Sequence, residues 1–295
     1  MSKRAIIFGA NGQDGQYLSN LCGKNSIDVL GVSRSGTGRV GDVGNFNFVS
    51  ETIAENKPDY VFHLAANSTT RHNALFENHA TISTGTLNIL ESVHVHCRDC
   101  KVFITGSGLQ FVNNGQPLSE RDEFAATSAY VVSRNQSIFA ARYYRSLGIK
   151  AYVGYLFHHD SPLRSQSHVS AMVAMAAKRI AAGDTRQLMM GDLSVRKEWG
   201  HARDIVEGIW TLVNQDRVFE SAIGTGVDFS IQDWVERCFS TLGLDWRDWV
   251  QQTHGFQAEY SRLLSNPSTM NDLGWHPRES LSSLAFEMLG VKSLQ

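Results

Sequence analysis

Residues 5–18, AIIFGANGQDGQYL, set the tightest limit on what this chain can fold into. An apolar run ends in Gly9, Gly12 and Gly15, spaced G-x-x-G-x-x-G, and a helical pattern follows at once. A short apolar run closed by glycine reads as a buried strand. Glycine there permits a tight turn, close backbone approach to a pyrophosphate, and close packing of the following helix. The N-terminus of that helix offers N–H groups and its positive dipole end to the phosphates. A glycine triplet is informative because it sits between the first strand and the first helix.

The same grammar continues. Residues 28–34 (DVLGVSR), 60–66 (YVFHLAA), 101–107 (KVFITGS) and 150–158 (KAYVGYLFH) read as further strands. Helical stretches lie between them, at about 15–23, 45–56, 81–94 and 129–147. Strands without polar alternation are buried on both faces, and alternation with helices implies a parallel sheet covered on both sides. The expected fold class is therefore α/β, a doubly wound parallel sheet with a smaller, mostly helical second domain. Pro162, one of only five prolines, marks the change of architecture. Residues 1–158 with about 198–225 are expected to form the sheet domain, and 159–197 with 226–295 the second, with helical periodicity at 201–215 and 231–242.

With 27 basic and 29 acidic residues, no strongly basic surface argues for nucleic acid. No apolar run is long enough for a bilayer, and no leader pattern opens the chain. Four cysteines are too sparse for a disulfide framework, so a cytoplasmic protein is expected. Residues 94–100, HVHCRDC, hold two histidines and a Cys-x-x-Cys. Structural zinc draws its ligands from two separated pairs, and no second pair is near, so no metal is expected. Trp234, Trp246 and Trp249 read as core or subunit contacts, since no basic groove accompanies them.

The second strand ends VSRS. An acidic residue there would take a ribose 2′-hydroxyl; Arg34, between Ser33 and Ser35, suits a 2′-phosphate instead, so NADP is expected over NAD. Asp42 is either an adenine contact or a turn aspartate. Tyr130 and Arg134 lie four residues apart, on one helix face.

The phosphate loop, HLAANS (63–68), a serine closing a strand at Ser107 and a tyrosine some two dozen residues later resemble the extended short-chain dehydrogenase/reductases, a Rossmann-fold family. Within it the chain is most similar to the GDP-mannose 4,6-dehydratases, through GANGQDGQYL (9–18), LFHHDSPLR (156–164), EWGHARDIVEGIW (198–210) and NPSTMNDLGWHP (266–277). The resemblance spans nearly the whole chain. It implies an NADP-binding domain and a second domain that holds a nucleotide sugar, a GDP-sugar in the first instance, in a homodimer or homotetramer that packs the loop bearing Arg34 and Arg39 across subunits. The implied cofactor contacts are Gly9, Asn11, Gly12, Gln13, Asp14, Gly15, Arg34, Asp42, Val43, Leu64, Ala65, Ala66, Ser68, Tyr130, Arg134, His159 and Arg164. Ser107, His158 and Lys197 are the implied substrate contacts.

In such enzymes a tyrosinate takes the proton of a sugar hydroxyl, and a cation one helical turn on favours it. The implied catalytic set is Ser107, Tyr130 and Arg134, with arginine in the family's lysine position. Leu109 falls where the dehydratases carry the glutamate that eliminates water, and Met172 where they carry a nucleotide-contacting lysine. The stretch 255–264 offers no clear counterpart of their phosphate-binding arginine. Three readings stay open: a reductase or epimerase, which needs no glutamate; a dehydratase with its acid/base moved to His158 or Asp160, or with Gln110 as a polar contact; and a dinucleotide-binding homologue without catalysis.

Overall fold

The structure, a computed structural model, describes residues 2–253, 255 and 258–291. Its centre is a seven-stranded sheet of β1 (Arg4–Phe8), β2 (Asp28–Ser33), β3 (Arg39–Val40), β4 (Tyr60–His63), β5 (Lys101–Ser107), β6 (Lys150–Leu156) and β7 (Glu220–Ile223). The strands are parallel throughout, in the order β7-β6-β5-β4-β1-β2-β3. This is a Rossmann-like, doubly wound α/β fold.

The period of a strand explains how one sequence feeds two cores. Along β1, Ile6 and Phe8 enter one apolar cluster and Ala5 and Ile7 the other. The first is completed by α2 (Phe46–Asn56), α3 (Gly85–His96) and α4 (Ala129–Ser146), through Val49, Ile89 and Ile138. The second is completed by α1 (Gln13–Lys24) and α6 (Ala202–Val213), through Leu18, Ile205 and Ile209. A third core, around Val173, Trp234, Phe239 and Leu284, joins α5 (Val169–Ala181), α7 (Ile231–Thr241) and α8 (Leu281–Leu289). Trp234 is fully buried there, and Trp246 and Trp249 pack against the same cluster.

The chain runs outward from β1 to β3, then returns to place β4 on the other side of β1. Ligands of such sheets bind outside the carboxyl ends of the strands, at this reversal. The register brings the C-terminal residues Phe8, Val32 and His63 to one rim, and Ser107 beside Leu156.

Two strands of the central sheet escaped the sequence pattern, as did the short strands outside it. β3 has two residues, and β7, Glu220–Ser221–Ala222–Ile223, lacks an apolar run. The helix expected from about 81 begins as a π turn, His79–Thr84, before α3 proper.

Candidate active site

The phosphate loop is built around close contacts of backbone with backbone. Gly9 has φ +94°, and a Cβ there would lie 2.7 Å from the backbone nitrogen of Ala65. A Cβ on Gly15 would lie 2.7 Å from Cα of Ala10 and closer still to the Gly9 carbonyl. Gly12 caps α1, leaving that helix's first N–H groups pointing out of the loop. Asn11 fastens the loop to the end of β2: its N–H donates to Ser33 Oγ at 3.2 Å, and its side chain donates to the Ser35 carbonyl. A pyrophosphate fits such a cradle, where a side chain would not.

The segment after β6 holds the loop from the other side. His159 Nε2 lies 2.9 Å from Asp14 Oδ1, and Ser161 Oγ donates to Gln13 Oε1 at 2.8 Å. Burial alone would raise the Asp14 carboxyl and lower the His159 imidazole. Their mutual charge and hydrogen bond reverse both, so Asp14 is held down and His159 up. The motif Gln13-Asp14 is thus a clasp on His159 and Ser161.

A cavity of about 220 Å3 opens beside the loop, lined by Asn11, Gly12, Arg34, Asp42, Val43, Leu64, Ala65 and Ala66 among others. Asp42 Oδ1 accepts from Gly44 N–H at 2.8 Å, so it shapes its own turn while facing the cavity. Arg34 lies at the cavity wall, but its Nη1 meets Glu77 Oε1 at 2.9 Å, and Asn67 steadies that carboxylate at 2.8 Å. Sequence reasoning missed Glu77, which lies 43 residues away in the chain. Arg39 pairs within its own chain with Glu55, at 2.5 Å.

Leu64 and Ala66 also border a second cavity of about 200 Å3, whose lining includes Asp14, Ser68, Ser107, Tyr130, Arg134, His158, His159 and Arg164. Ser128 caps α4 by accepting from Val131 N–H at 3.3 Å, which fixes Tyr130 and Arg134 in the opening turns. Both are buried, at 7% and 3% exposure. Arg134 Nε donates to the Tyr130 hydroxyl oxygen at 3.1 Å, and its Nη1 donates to the Thr105 carbonyl at 2.5 Å. The guanidinium is therefore anchored on β5 while it contacts the phenol. Ser107 closes β5, its N–H bonded to Gln110 Oε1 at 2.7 Å and its Oγ accepting from Leu109 N–H at 3.3 Å.

Around this centre the acid/base inventory is short. Leu109 packs against Ile82, Tyr130 and Val131. Gln110 is fully buried, committed to Ser107 and to Asn135 at 3.0 Å, so it is a capping residue and not a cleft contact. Asp160 is fully buried beneath the cleft, 2.8 Å from Arg164 Nε. His158 lines the cleft, but its Nδ1 is 2.7 Å from the Glu198 carbonyl and its Nε2 is 3.0 Å from Lys197 Nζ. A carbonyl only accepts, so Nδ1 carries a proton, while Nε2 faces both Lys197 Nζ and, at 3.1 Å, Asp160 Oδ2. Burial, then the Lys197 and Arg164 charges, hold His158 well below the usual imidazole range.

Lys197 does not line the cleft: it is buried behind His158 with Nζ 4.7 Å from the Trp199 ring centre, and burial lowers it to about 8. Met172 lies exposed on α5.

A third cavity, about 620 Å3, shares Thr70, Leu109, Tyr260 and Leu263 with the second. Its lining includes Asn113, Asn114, Glu259 and Arg262. Arg262 is held by Asp228 at 2.9 Å and by the Gly115 carbonyl at 3.0 Å. Thr70 donates to Glu259. The three cavities adjoin through shared lining residues, Leu64 and Ala66 between the first two and Thr70, Leu109, Tyr260 and Leu263 between the second and third.

Known proteins with this pattern agree on the family. The family model for GDP-mannose 4,6 dehydratase matches residues 37–288. GDP-mannose 4,6 dehydratase 2 of Arabidopsis thaliana is 29% identical, covering 97% of this chain and 86% of its own. GDP-mannose 4,6-dehydratase of Vibrio cholerae is 28% identical, covering 97% and 92%. The fold is shared with dTDP-glucose 4,6-dehydratase from Bacillus anthracis in complex with NAD, at TM-score 0.85, 17% identity and 98% and 96% coverage. It is shared equally with RMD from Pseudomonas aeruginosa complexed with NADPH, at TM-score 0.85, 18% identity and 98% and 97% coverage. The matching model, covering most of the chain, places the protein in the GDP-mannose 4,6 dehydratase family.

Proposed function

We propose that this enzyme of nucleotide-sugar epimerase/dehydratase type uses NADP to move hydrogen at C4 of a GDP-hexose or its 4-keto-6-deoxy derivative, as a reductase or epimerase. The observation that carries the reading is the buried Tyr130 hydroxyl on the cleft wall, with Arg134 Nε donating to it at 3.1 Å. The nicotinamide, when bound, supplies hydride exchange with the sugar carbon. Gly9, Gly12 and Gly15 would hold the pyrophosphate, and Arg34 the 2′-phosphate.

Because Arg134 donates to the phenol oxygen, the hydroxyl proton of Tyr130 is left pointing elsewhere. No acceptor for it occurs among the described residues. Tyr130 can therefore give that proton to a sugar C4 oxygen, or take one from it. The guanidinium faces the negative charge as it develops and needs no reorientation, since Thr105 already fixes it. Ser107 Oγ, on the lining of the same cavity, would hold the same sugar hydroxyl.

Elimination of water needs a further base. Leu109 is hydrocarbon, Gln110 and Asp160 are withdrawn from the cleft, and both nitrogens of His158 are engaged. These four positions support reduction or epimerisation over dehydration. One observation favours the second reading, a dehydratase: Glu259 lines the cavity that Leu109 borders, with Thr70 donating to one of its carboxylate oxygens. Consumption of NADPH with a GDP-4-keto-6-deoxyhexose, abolished by Tyr130→Phe, tests the first reading. Deuterium at C5 of a 4-keto-6-deoxy product, formed from GDP-mannose and NADP in deuterated water, marks the second.

The assembly is taken as a homodimer or homotetramer; a monomer by light scattering at micromolar concentration contradicts it.

A further inference from the structure

The turn from Cys97 to Cys100 lies at the N-terminal end of β5, at the opposite end of that strand from Ser107. Cys97 caps α3 and Cys100 immediately precedes the strand. Cys100 N–H donates to the Cys97 carbonyl at 2.9 Å, which closes a four-residue turn over the exposed Arg98 and Asp99. Such a turn brings its end Cα atoms within about 7 Å, the separation that bridged cysteines need. The Cys100 thiol donates to the Lys101 carbonyl at 3.7 Å.

The two sulfurs are chemically unequal. Cys97 is half-buried, and the neighbouring Cys100 thiol holds it below the usual value although burial opposes this. Cys100 is 2% exposed, and burial pushes it well up. The neighbouring histidines make other contacts, His94 Nδ1 being buried without a hydrogen-bond partner. His94 packs edge-on against Tyr144, and His96 Nε2 meets Ser50 Oγ at 2.8 Å. No group of three metal ligands occurs among the described residues. The chemistry left to this motif is that of a thiol pair.

We propose that Cys97 and Cys100 form a dithiol–disulfide site that exchanges with small disulfides, Cys97 attacking and Cys100 resolving. The thiolate is the nucleophile in such exchange, and access decides which sulfur is attacked. Cys97 thiolate attacks one sulfur of a small disulfide. The disulfide's S–S bond breaks, and a thiolate leaves and takes up a proton. Cys100 then loses its proton and attacks the Cys97 sulfur of the mixed disulfide, releasing the second small thiol. The chain's two thiols are oxidised by two electrons, and the small disulfide is reduced to two thiols. The closed turn holds the two residues within the Cα separation of a bridged pair.

The test treats the folded protein with excess glutathione disulfide, quenches with acid, alkylates and maps the peptides by mass spectrometry. Two of the four thiols should disappear, joined within one peptide that carries Cys97 and Cys100. In Cys100→Ser the reaction should stop as a glutathione adduct on Cys97, and in Cys97→Ser residue Cys100 should stay free. Four free thiols in the treated natural protein would overturn the proposal, and this arm depends on no variant. So would glutathione on Cys100 of Cys97→Ser as fast as on Cys97 of Cys100→Ser.

Discussion

Replacing Arg134 by methionine isolates the feature on which catalysis is argued to rest. Methionine keeps most of the length and packing of the side chain but offers no charge and no donor. Two hydrogen bonds disappear, Nε to the Tyr130 oxygen at 3.1 Å and Nη1 to the Thr105 carbonyl at 2.5 Å. The Thr105 carbonyl loses a partner in a buried place, which costs about 1–3 kcal/mol of stability. The larger effect is on the reaction. A hydrogen bond from a charged donor is worth about 1.5–3 kcal/mol, and about 1.4 kcal/mol is tenfold in rate. Single-turnover NADPH consumption at saturating substrate, below the variant's melting temperature, should slow by about 10- to 100-fold. Arg134→Lys restores a cation and should recover most of the rate. If Arg134→Met stays within about twofold of the natural enzyme while Tyr130→Phe is inactive, the guanidinium does not stabilise the reacting oxygen.

Three further outcomes are expected. Gly15→Ala forces a Cβ to 2.7 Å from Cα of Ala10; it should cost about 1–3 kcal/mol and abolish dinucleotide binding, read by melting curves with and without NADP. Arg34→Ala should weaken NADP about tenfold and leave NAD unchanged. A phosphate contact worth about 1.5–3 kcal/mol is offset by the exposed Glu77 pair at about 0–1; equal losses for both dinucleotides by tryptophan quenching would contradict the assignment. Asp14→Asn should lower Tm in a pH-dependent way. Asp14 is held below its ordinary 3.8, so its contribution is present above that pH and is lost as pH falls through the lowered value. His159 is held above 6.5, so its contribution is present below that pH and is lost as pH rises through the raised value. The Tm difference should be largest between those values, about 2–4 °C per kcal/mol, and should fade in alkali; a constant difference would refute the pair.

The sequence exposes what is local. The glycine loop, the strands carrying Ser107 and His158, and the helix carrying Tyr130 and Arg134 are written in runs of adjacent residues, and α4 begins at Ala129 as its cap and period require. What joins distant segments leaves no such mark. Glu77 reaches Arg34 from a short helical segment, Arg134 reaches Thr105 on another element, and Lys197 withdraws behind His158 because strands pack there. The resemblance implies a substrate contact for Lys197, and the structure buries it behind His158, off the lining of the cavity. Glu259 and Tyr260 gave no signal because their place beside Leu109 and Thr70 joins segments far apart in the chain.

The most direct test of the central claim is proton NMR of a GDP-4-keto-6-deoxyhexose incubated with the enzyme and NADPH deuterated at the transferred position. Deuterium bound at C4 of the sugar, absent with Tyr130→Phe, is the predicted result. A sugar that carries no deuterium while the dinucleotide stays reduced would contradict the account.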